Sequence, residues 1–542
     1  MSIAERQQAD PDLPRGRQSR DDIRVGHSEL DGLMPWSDPE VTSVRREPSH
    51  SISHVDRLSL DGDWQFQLLQ HPRQRPDGPF RSIKVPGAWT MQGTGDLPIY
   101  LDARMPFPEA PPNVPAANPT GYYRRSFVIP ETWRAKRIVL HVGAAESVLI
   151  VRVNGKDVGL SKDSHLAAEF DLTNTASVGE NLVELTVVKW SDASFIEDQD
   201  QWWHGGLTRS VYLYSTPPMF LRDVAVVADY DVDAHSGALT LSATIGTISG
   251  DIPNRLSVRA RLGESDICDS IPVTTHLRGT HIADDGASET RSAWNLIGSL
   301  AAGVKLSAAD QQRATETQRA VFPSAVGQAR ASIEIGYVEP WSAEAPYLYD
   351  LRVELVDEHG ETIDSADWRI GFRRVEIIGR NLLVNGRRIW IQGVNRHDFD
   401  PLTGRTLTEG QLRAQLSQLK RFNINAIRTS HYPNDPVFLD IADEFGFYVV
   451  DEADIESHGW YGSICDDPRY RSAFLDRVAR MIERDRNHPS VIMWSLGNES
   501  GSGVNHDAAA AWARSTDPSR PVHYEGAISK DWYAGHAQTD IV

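Results

Sequence analysis

The chain has 542 residues, 40% of them hydrophobic and 24% charged, and a formal net charge of -20. That length exceeds what one hydrophobic core supports and predicts three or four domains, while the composition is that of an ordinary soluble globular protein. The acidic balance argues against a nucleic-acid phosphate backbone as partner. The two cysteines, Cys268 and Cys465, have neither metal-ligand spacing nor the pattern of a disulfide framework. No apolar run approaches the ~18 residues that a membrane helix needs, and Met1 to Arg20 lacks the apolar centre of a signal peptide. The expected location is cytoplasmic, with no membrane partner.

Residues 1–45 mix Arg, Asp, Pro and Ser with few apolar positions, and read as a flexible or loosely docked arm. From Leu58 short alternating runs appear, among them Trp64 to Leu68, Tyr122 to Ile129, Arg137 to Val142, Leu182 to Val188 and Ser210 to Tyr214. Turn sequences such as Val153-Asn154-Gly155-Lys156 separate them. This pattern predicts an all-β jelly-roll sandwich over 46–218. A second β region over 219–376, with strands at Val224 to Val227, Ala238 to Ile245, Ala331 to Ile335 and Tyr349 to Leu355, predicts an immunoglobulin-like sandwich. Inside it, 263–320 is rich in Ser, Thr, Ala and Asp with weak periodicity, and is expected to be a surface insertion.

Over 377–542 strand-like and helical segments alternate. The runs Ile389 to Val394, Asn425 to Ser430, Phe447 to Val450, Val491 to Leu496 and Val522 to Tyr524 read as strands. Thr408 to Phe422, Val437 to Phe445, Phe474 to Arg484 and Asp507 to Ser515 read as helices. The expected fold is a (β/α)8 TIM barrel of which about the first five units are present, with Thr539 to Val542 opening a sixth. The chain is therefore expected to stop inside the barrel.

Each of these strands leads into a polar cluster: Asn395-Arg396-His397-Asp398, Arg428-Thr429-Ser430-His431, Asp451 to His458, Asn498-Glu499 and Tyr524-Glu525. Barrel active sites lie at the C-terminal strand ends, and five such ends in succession exceed what solvation of loops requires. Glu499, in Gly497-Asn498-Glu499-Ser500-Gly501, suits a proton donor on a sharp turn. Glycoside hydrolysis needs such an acid opposite a second carboxylate. Asn498 beside it can bond a sugar hydroxyl. Glu456 and His458, two apart, share a face if extended; with Glu499 and waters they can hold a hard cation such as Mg2+.

Long segments resemble family 2 of the glycoside hydrolases, and within it the large bacterial β-galactosidases. They include NAIRTSHYPNDPVFLDIADEFGFYVV from Asn425, DRNHPSVIMWSLGNE from Asp485, GVNRHDFDP from Gly393, DEADIESHG from Asp451, DPSRPVHYEG from Asp517, ANPTGYYRRSF from Ala117 and EDQDQWWHGG from Glu197. The resemblance implies a jelly-roll sugar-binding domain, an immunoglobulin-like domain and a catalytic barrel. It implies retaining hydrolysis of terminal β-galactosides such as lactose, with Glu499 as acid/base and Glu456, His458 and Glu499 as Mg2+ ligands. Asp200 is implied as the contact to the galactose 6-hydroxyl and to Na+. His397, His431 and Asn498 are implied as sugar contacts, Tyr524 as the tyrosine beside the nucleophile, and Arg428 as the residue that orients it. Complete relatives are often homotetramers.

The sequence departs from the family pattern at two points. Ala110 stands where the best-known relatives place a substrate-contacting Asn. The family's nucleophilic glutamate lies beyond the tyrosine matched by Tyr524, past the end of this chain, and Glu525 matches a different position. The alternatives are a catalytically inactive fragment that at most binds sugar, and another family 2 specificity such as β-glucuronidase.

Overall fold

The computed structural model describes residues 34–101, 103–249, 252–253, 255–277, 325–528 and 539–542. The first β-domain is two facing antiparallel sheets. The larger has seven strands in the order Ser43–Val44, Lys156–Lys162, Val148–Val153, Gly179–Val188, Thr120–Ile129, Gly62–Leu69 and Arg81–Val85. The smaller has four: Ala168–Asp171, Arg137–Val142, Val211–Thr216 and Arg57–Ser59. Alternation decides which side chains enter the core. In Gly179–Val188 every second residue from Asn181 to Val187 is buried, and Val183, Leu185 and Val187 meet Phe66, Tyr123 and Phe170 between the sheets. The Asn154-Gly155 turn carries positive φ at both residues, as a tight two-residue hairpin requires.

The expected arm lies outside the described residues up to Leu33, and from Met34 onward it is docked. Ser43–Val44 pairs with Lys156–Lys162 as an edge strand, and the buried Lys162 ammonium donates to the carbonyls of Pro35 and Asp38. A buried ammonium needs acceptors, and the arm supplies two of them beside the Asp192 carboxylate.

The second β-domain is a sandwich of two four-stranded sheets. The insertion expected at 263–320 begins instead as regular structure: Ser265–Pro272 pairs with Ser257–Leu262, and Thr274–Leu277 with Ala325–Tyr337. Their polar composition concealed them because Ser265–Pro272 is an edge strand, largely exposed, so few of its residues need be apolar. The remainder of that segment, from 278, lies outside the described residues.

The third unit opens with a three-stranded antiparallel sheet at Val375–Ile378, Asn381–Val384 and Arg387–Arg388. A five-stranded parallel sheet follows, in sequence order: Gly393–Arg396, Ala426–Thr429, Tyr448–Glu452, Val491–Ser495 and Val522–His523. The first strand starts later than the run Ile389 to Val394 predicted; Trp390 and Ile391 are exposed and precede it. Helices Glu409–Arg421, Pro436–Phe445, Arg471–Asp485 and Val504–Thr516 stand between the strands. Thr408 and Gln411 close a capping box on the first, and Asp435 caps the second. Val491–Ser495 is buried at all five positions, as a parallel strand covered on both faces must be. Ile541 bridges alongside His523. Among the described residues, no helix is long and apolar enough to cross a membrane.

The β/α domain is bonded to both sandwiches. The buried Arg373 guanidinium donates to the carbonyls of Pro489 and Val491. The Trp341 indole donates to the Asp443 carbonyl at 3.0 Å. Arg209 reaches Pro433 O at 2.9 Å, and His165 stacks on Tyr432 with ring centroids 4.0 Å apart. Helix Pro436–Phe445 ends on Gly446 at φ 78°, where a Cβ would lie 2.4 Å from the Ala343 carbonyl oxygen of the second sandwich. Gly446→Ala therefore combines a left-handed backbone with a clash against main chain. It is expected to destabilise the protein by more than about 1 kcal/mol, read as a lower midpoint in urea unfolding followed by tryptophan fluorescence; an unchanged midpoint would contradict the close approach.

Candidate active site

The C-terminal ends of the parallel strands converge on one buried carboxylate. Glu452, at the end of the third strand and fully buried, accepts from Arg428 Nε at 2.7 Å, from Ser495 Oγ at 2.6 Å and from His431 Nδ1 at 2.6 Å. Burial alone would raise its pKa; His431 and Arg428 outweigh that and hold the carboxyl below its usual range. Arg428 also gives Nη2 to Asn498 Oδ1 at 3.0 Å. The second, third and fourth strand ends are thus joined through charged hydrogen bonds, which are the stronger kind.

Glu499 follows on a turn that glycine makes possible. Gly497 has φ 129°, and a Cβ there would lie 2.2 Å from Ile455 O. That close approach lets the Asn498 amide donate to Ile455 O at 2.9 Å. It sets Glu499 against the Glu456–His458 segment, with Glu499 Oε2 3.1 Å from His458 Nδ1. Glu456 Oε1 lies 4.0 Å from the same nitrogen, and the three side chains offer ligand atoms within 4.8 Å of one another. Glu456 is fully buried and neither of its oxygens makes a well-formed hydrogen bond. Burial lifts its carboxyl to about 9; Asn498 acts to lower it, while the neighbouring Glu499 and Glu452 push it up. Two carboxyl groups and an imidazole, with both Glu456 oxygens buried and unsatisfied, fit a divalent cation, whose charge would reverse that balance.

The first β-domain contributes the rim. Asp200 is exposed and accepts from the Tyr100 hydroxyl. Its charge acts on His397, where it opposes burial, His431 and Arg405, which together lower the imidazole to about 4. His397 is therefore neutral at pH 7, with its ring centroid 5.8 Å from that of His431. Among the described residues Asp200 belongs to no cluster of three or more metal-ligating side chains.

Glu499, Glu456, His458, Asn498, Arg428 and His431 thus form one connected group, with His397 and Asp200 beside it. Tyr524 stands apart. Its hydroxyl donates to the Gly501 carbonyl and its ring stacks on His506 at 4.2 Å, so it supports the turn that carries Glu499. Ala110 and Glu525 are exposed. Glu452 is the residue that sequence reasoning missed. Its only signal was its place in Asp451-Glu452-Ala453-Asp454-Ile455-Glu456, where several carboxylates compete.

Three family models match the chain: the glycosyl hydrolases family 2 sugar binding domain over 58–217, glycosyl hydrolases family 2 over 293–373, and the family 2 TIM barrel domain over 375–540. Fold and matches together define a multidomain chain built from the domains of the glycosyl hydrolases family 2. The chain belongs to glycoside hydrolase family 2. It is 36% identical over 521 residues to the β-galactosidase of Pseudoalteromonas haloplanktis, covering 91% of this chain and 46% of that protein. It is 38% identical over 514 residues to the β-galactosidase of Arthrobacter sp. (strain B7), covering 89% and 44%. The chain spans about half the length of the curated relatives it matches. Among solved structures, a Bifidobacterium dentium β-glucuronidase superposes with a TM-score of 0.66 at 21% identity, covering 88% of this chain and 75% of that one. The β-glucuronidase of Dictyoglomus thermophilum gives 0.62 at 20% identity, covering 87% and 73%. At that identity the likeness is one of fold.

Removing the Glu452 carboxylate strands three donors, Arg428, His431 and Ser495, so Glu452→Ala is expected to cost about 3–5 kcal/mol. Comparison of urea unfolding midpoints checks this; a loss no larger than that of a surface Glu→Ala control would disprove the central role.

Proposed function

We propose that this site is the acid/base half of a β-galactosidase that retains configuration at terminal β-D-galactose residues. One observation carries the reading: Glu499 is held at the fourth strand end by its contact with His458, next to an Asn498 fixed by Arg428. In this reading Glu499 protonates the glycosidic oxygen and later activates water. Asn498, His397 and His431 bond the sugar hydroxyls, and Asp200 meets the 6-hydroxyl. Glu456, His458 and Glu499 would hold Mg2+, which when bound supplies a fixed positive charge that tunes the acid, and Asp200 would contribute to a Na+ site. The curated relatives named β-galactosidase support the galactose specificity.

A second carboxylate must act opposite Glu499. Glu452 does not suit that role, because both its oxygens are occupied by donors. By resemblance to the family, the nucleophile is expected on a barrel strand after the five described here. The 542-residue chain alone is expected to hydrolyse a chromogenic β-galactoside at less than about a hundredth of a complete relative's rate; faster turnover would show that a residue of this chain serves as nucleophile.

One competing reading is a β-glucuronidase, the activity for which the neighbouring solved structures are named. Binding decides between the two without turnover. A non-hydrolysable β-thiogalactoside is expected to bind by calorimetry and to lose affinity in Asp200→Ala, whereas the matching thioglucuronide is not. Preference for the glucuronide would overturn the galactose assignment.

A further inference from the structure

The segment Ile455 to Gly459 carries two of the three candidate cation ligands, yet it is a loop, and a loop has no ladder of its own to fix it. Its main-chain groups are satisfied from three directions. On one side Asn498 N donates to Ile455 O at 2.9 Å, and on a second Ser457 N donates to Ser500 Oγ at 2.8 Å. The third side is the first β-domain. There the segment after the short helix Asp192–Ile196 lies parallel to the loop, with Glu197 opposite Glu456. Glu456 N donates to Ile196 O at 2.8 Å and Asp198 N to Glu456 O at 3.0 Å. Both main-chain groups of the most buried cation ligand are therefore taken up by another domain.

Asp198 does more than pass by. It is 1% exposed, and its Oδ2 accepts from Gly459 N at 3.0 Å, one residue beyond His458. Asp198 thus grips the loop on both sides of His458, through its own amide at Glu456 and through its carboxylate at Gly459. Gly459 permits this approach, because a Cβ there would stand 3.2 Å from that oxygen. Asp198 is itself held from behind. The adjoining Glu197 is ion-paired with the buried Arg477 of helix Arg471–Asp485 and accepts from Ser164 Oγ at 2.5 Å. A carboxylate anchored in this way can hold a metal-binding loop in place without touching the metal, and residues in such outer positions commonly control metal affinity.

We propose that Asp198 is a positioning residue for the cation site of the β/α domain, setting the spacing of Glu456 and His458 through the Gly459 amide. The proposal rests on the reading of Glu456, His458 and Glu499 as cation ligands. Mn2+ serves as the probe, with its binding to the full 542-residue chain followed by calorimetry and by the electron paramagnetic resonance of free Mn2+. Asp198→Ala is expected to raise the dissociation constant about tenfold or more, whereas Asp198→Asn, which keeps an oxygen acceptor for the Gly459 amide, stays within about threefold of the unsubstituted chain.

Unchanged affinity in Asp198→Ala overturns the proposal. So does an equal loss in Asp198→Asn, which would assign the effect to the charge of Asp198 rather than to its hydrogen bond. Glu456→Gln separates this failure from failure of the underlying reading. If the unsubstituted chain binds no Mn2+, or if Glu456→Gln binds as well as it does, the cation site falls and the proposal with it. Circular dichroism checks that each variant folds. Should Asp198→Ala not fold, Gly459→Ala moves the same contact from the other side; it is expected to weaken Mn2+ binding several-fold, and unchanged affinity there also overturns the proposal.

Discussion

The site depends on a negative charge held with no access to water. Glu452 is fully buried at the third strand end, and a carboxylate placed there is tolerated only if donors surround it. Arg428, His431 and Ser495 are those donors, drawn from the strand ends on either side. Each is thereby fixed in orientation, and Arg428 transmits that order to Asn498, the neighbour of Glu499. The functional group at the surface of the site is exact in position because a charge below it has no alternative partners. Such preorganisation lets hydrogen bonds and charges act on a reacting group without first rearranging.

The same logic extends outward across the domain boundary. The first β-domain does not merely sit beside the β/α domain. His165 and Gln199 bond Asp454, Glu197 meets Arg477, and Arg209 reaches Pro433. Buried polar groups of this kind fix one relative arrangement, because any other leaves them unpaired. Asp200 is thereby delivered to the neighbourhood of His397, although 197 positions separate the two in sequence.

Much of the fold was legible because its signals are local. Alternation in the run Leu182 to Val188, the Asn154-Gly155 turn and the helical spacing of Thr408 to Phe422 each act over a few residues. Signals failed where burial is partial. The exposed edge strand Ser265–Pro272 needs few apolar residues and read as an insertion. The run Ile389 to Val394 read as one strand, but Trp390 and Ile391 lie exposed ahead of Gly393–Arg396.

For the site, the sequence by itself determined which residue types stand at the strand ends, and through their motifs the family and the pairing of Glu456 with His458. Those follow from short spacing along one segment. Only the tertiary structure decided that Glu452, among six residues containing four carboxylates, is the one that gathers the donors, and that Asp198 of a different domain grips the Glu456 loop. It also turned the Tyr524 hydroxyl toward Gly501. The physical reason is that a hydrogen bond or buried charge is satisfied by whatever lies within about 3 Å in space, and distance along the chain carries no record of that.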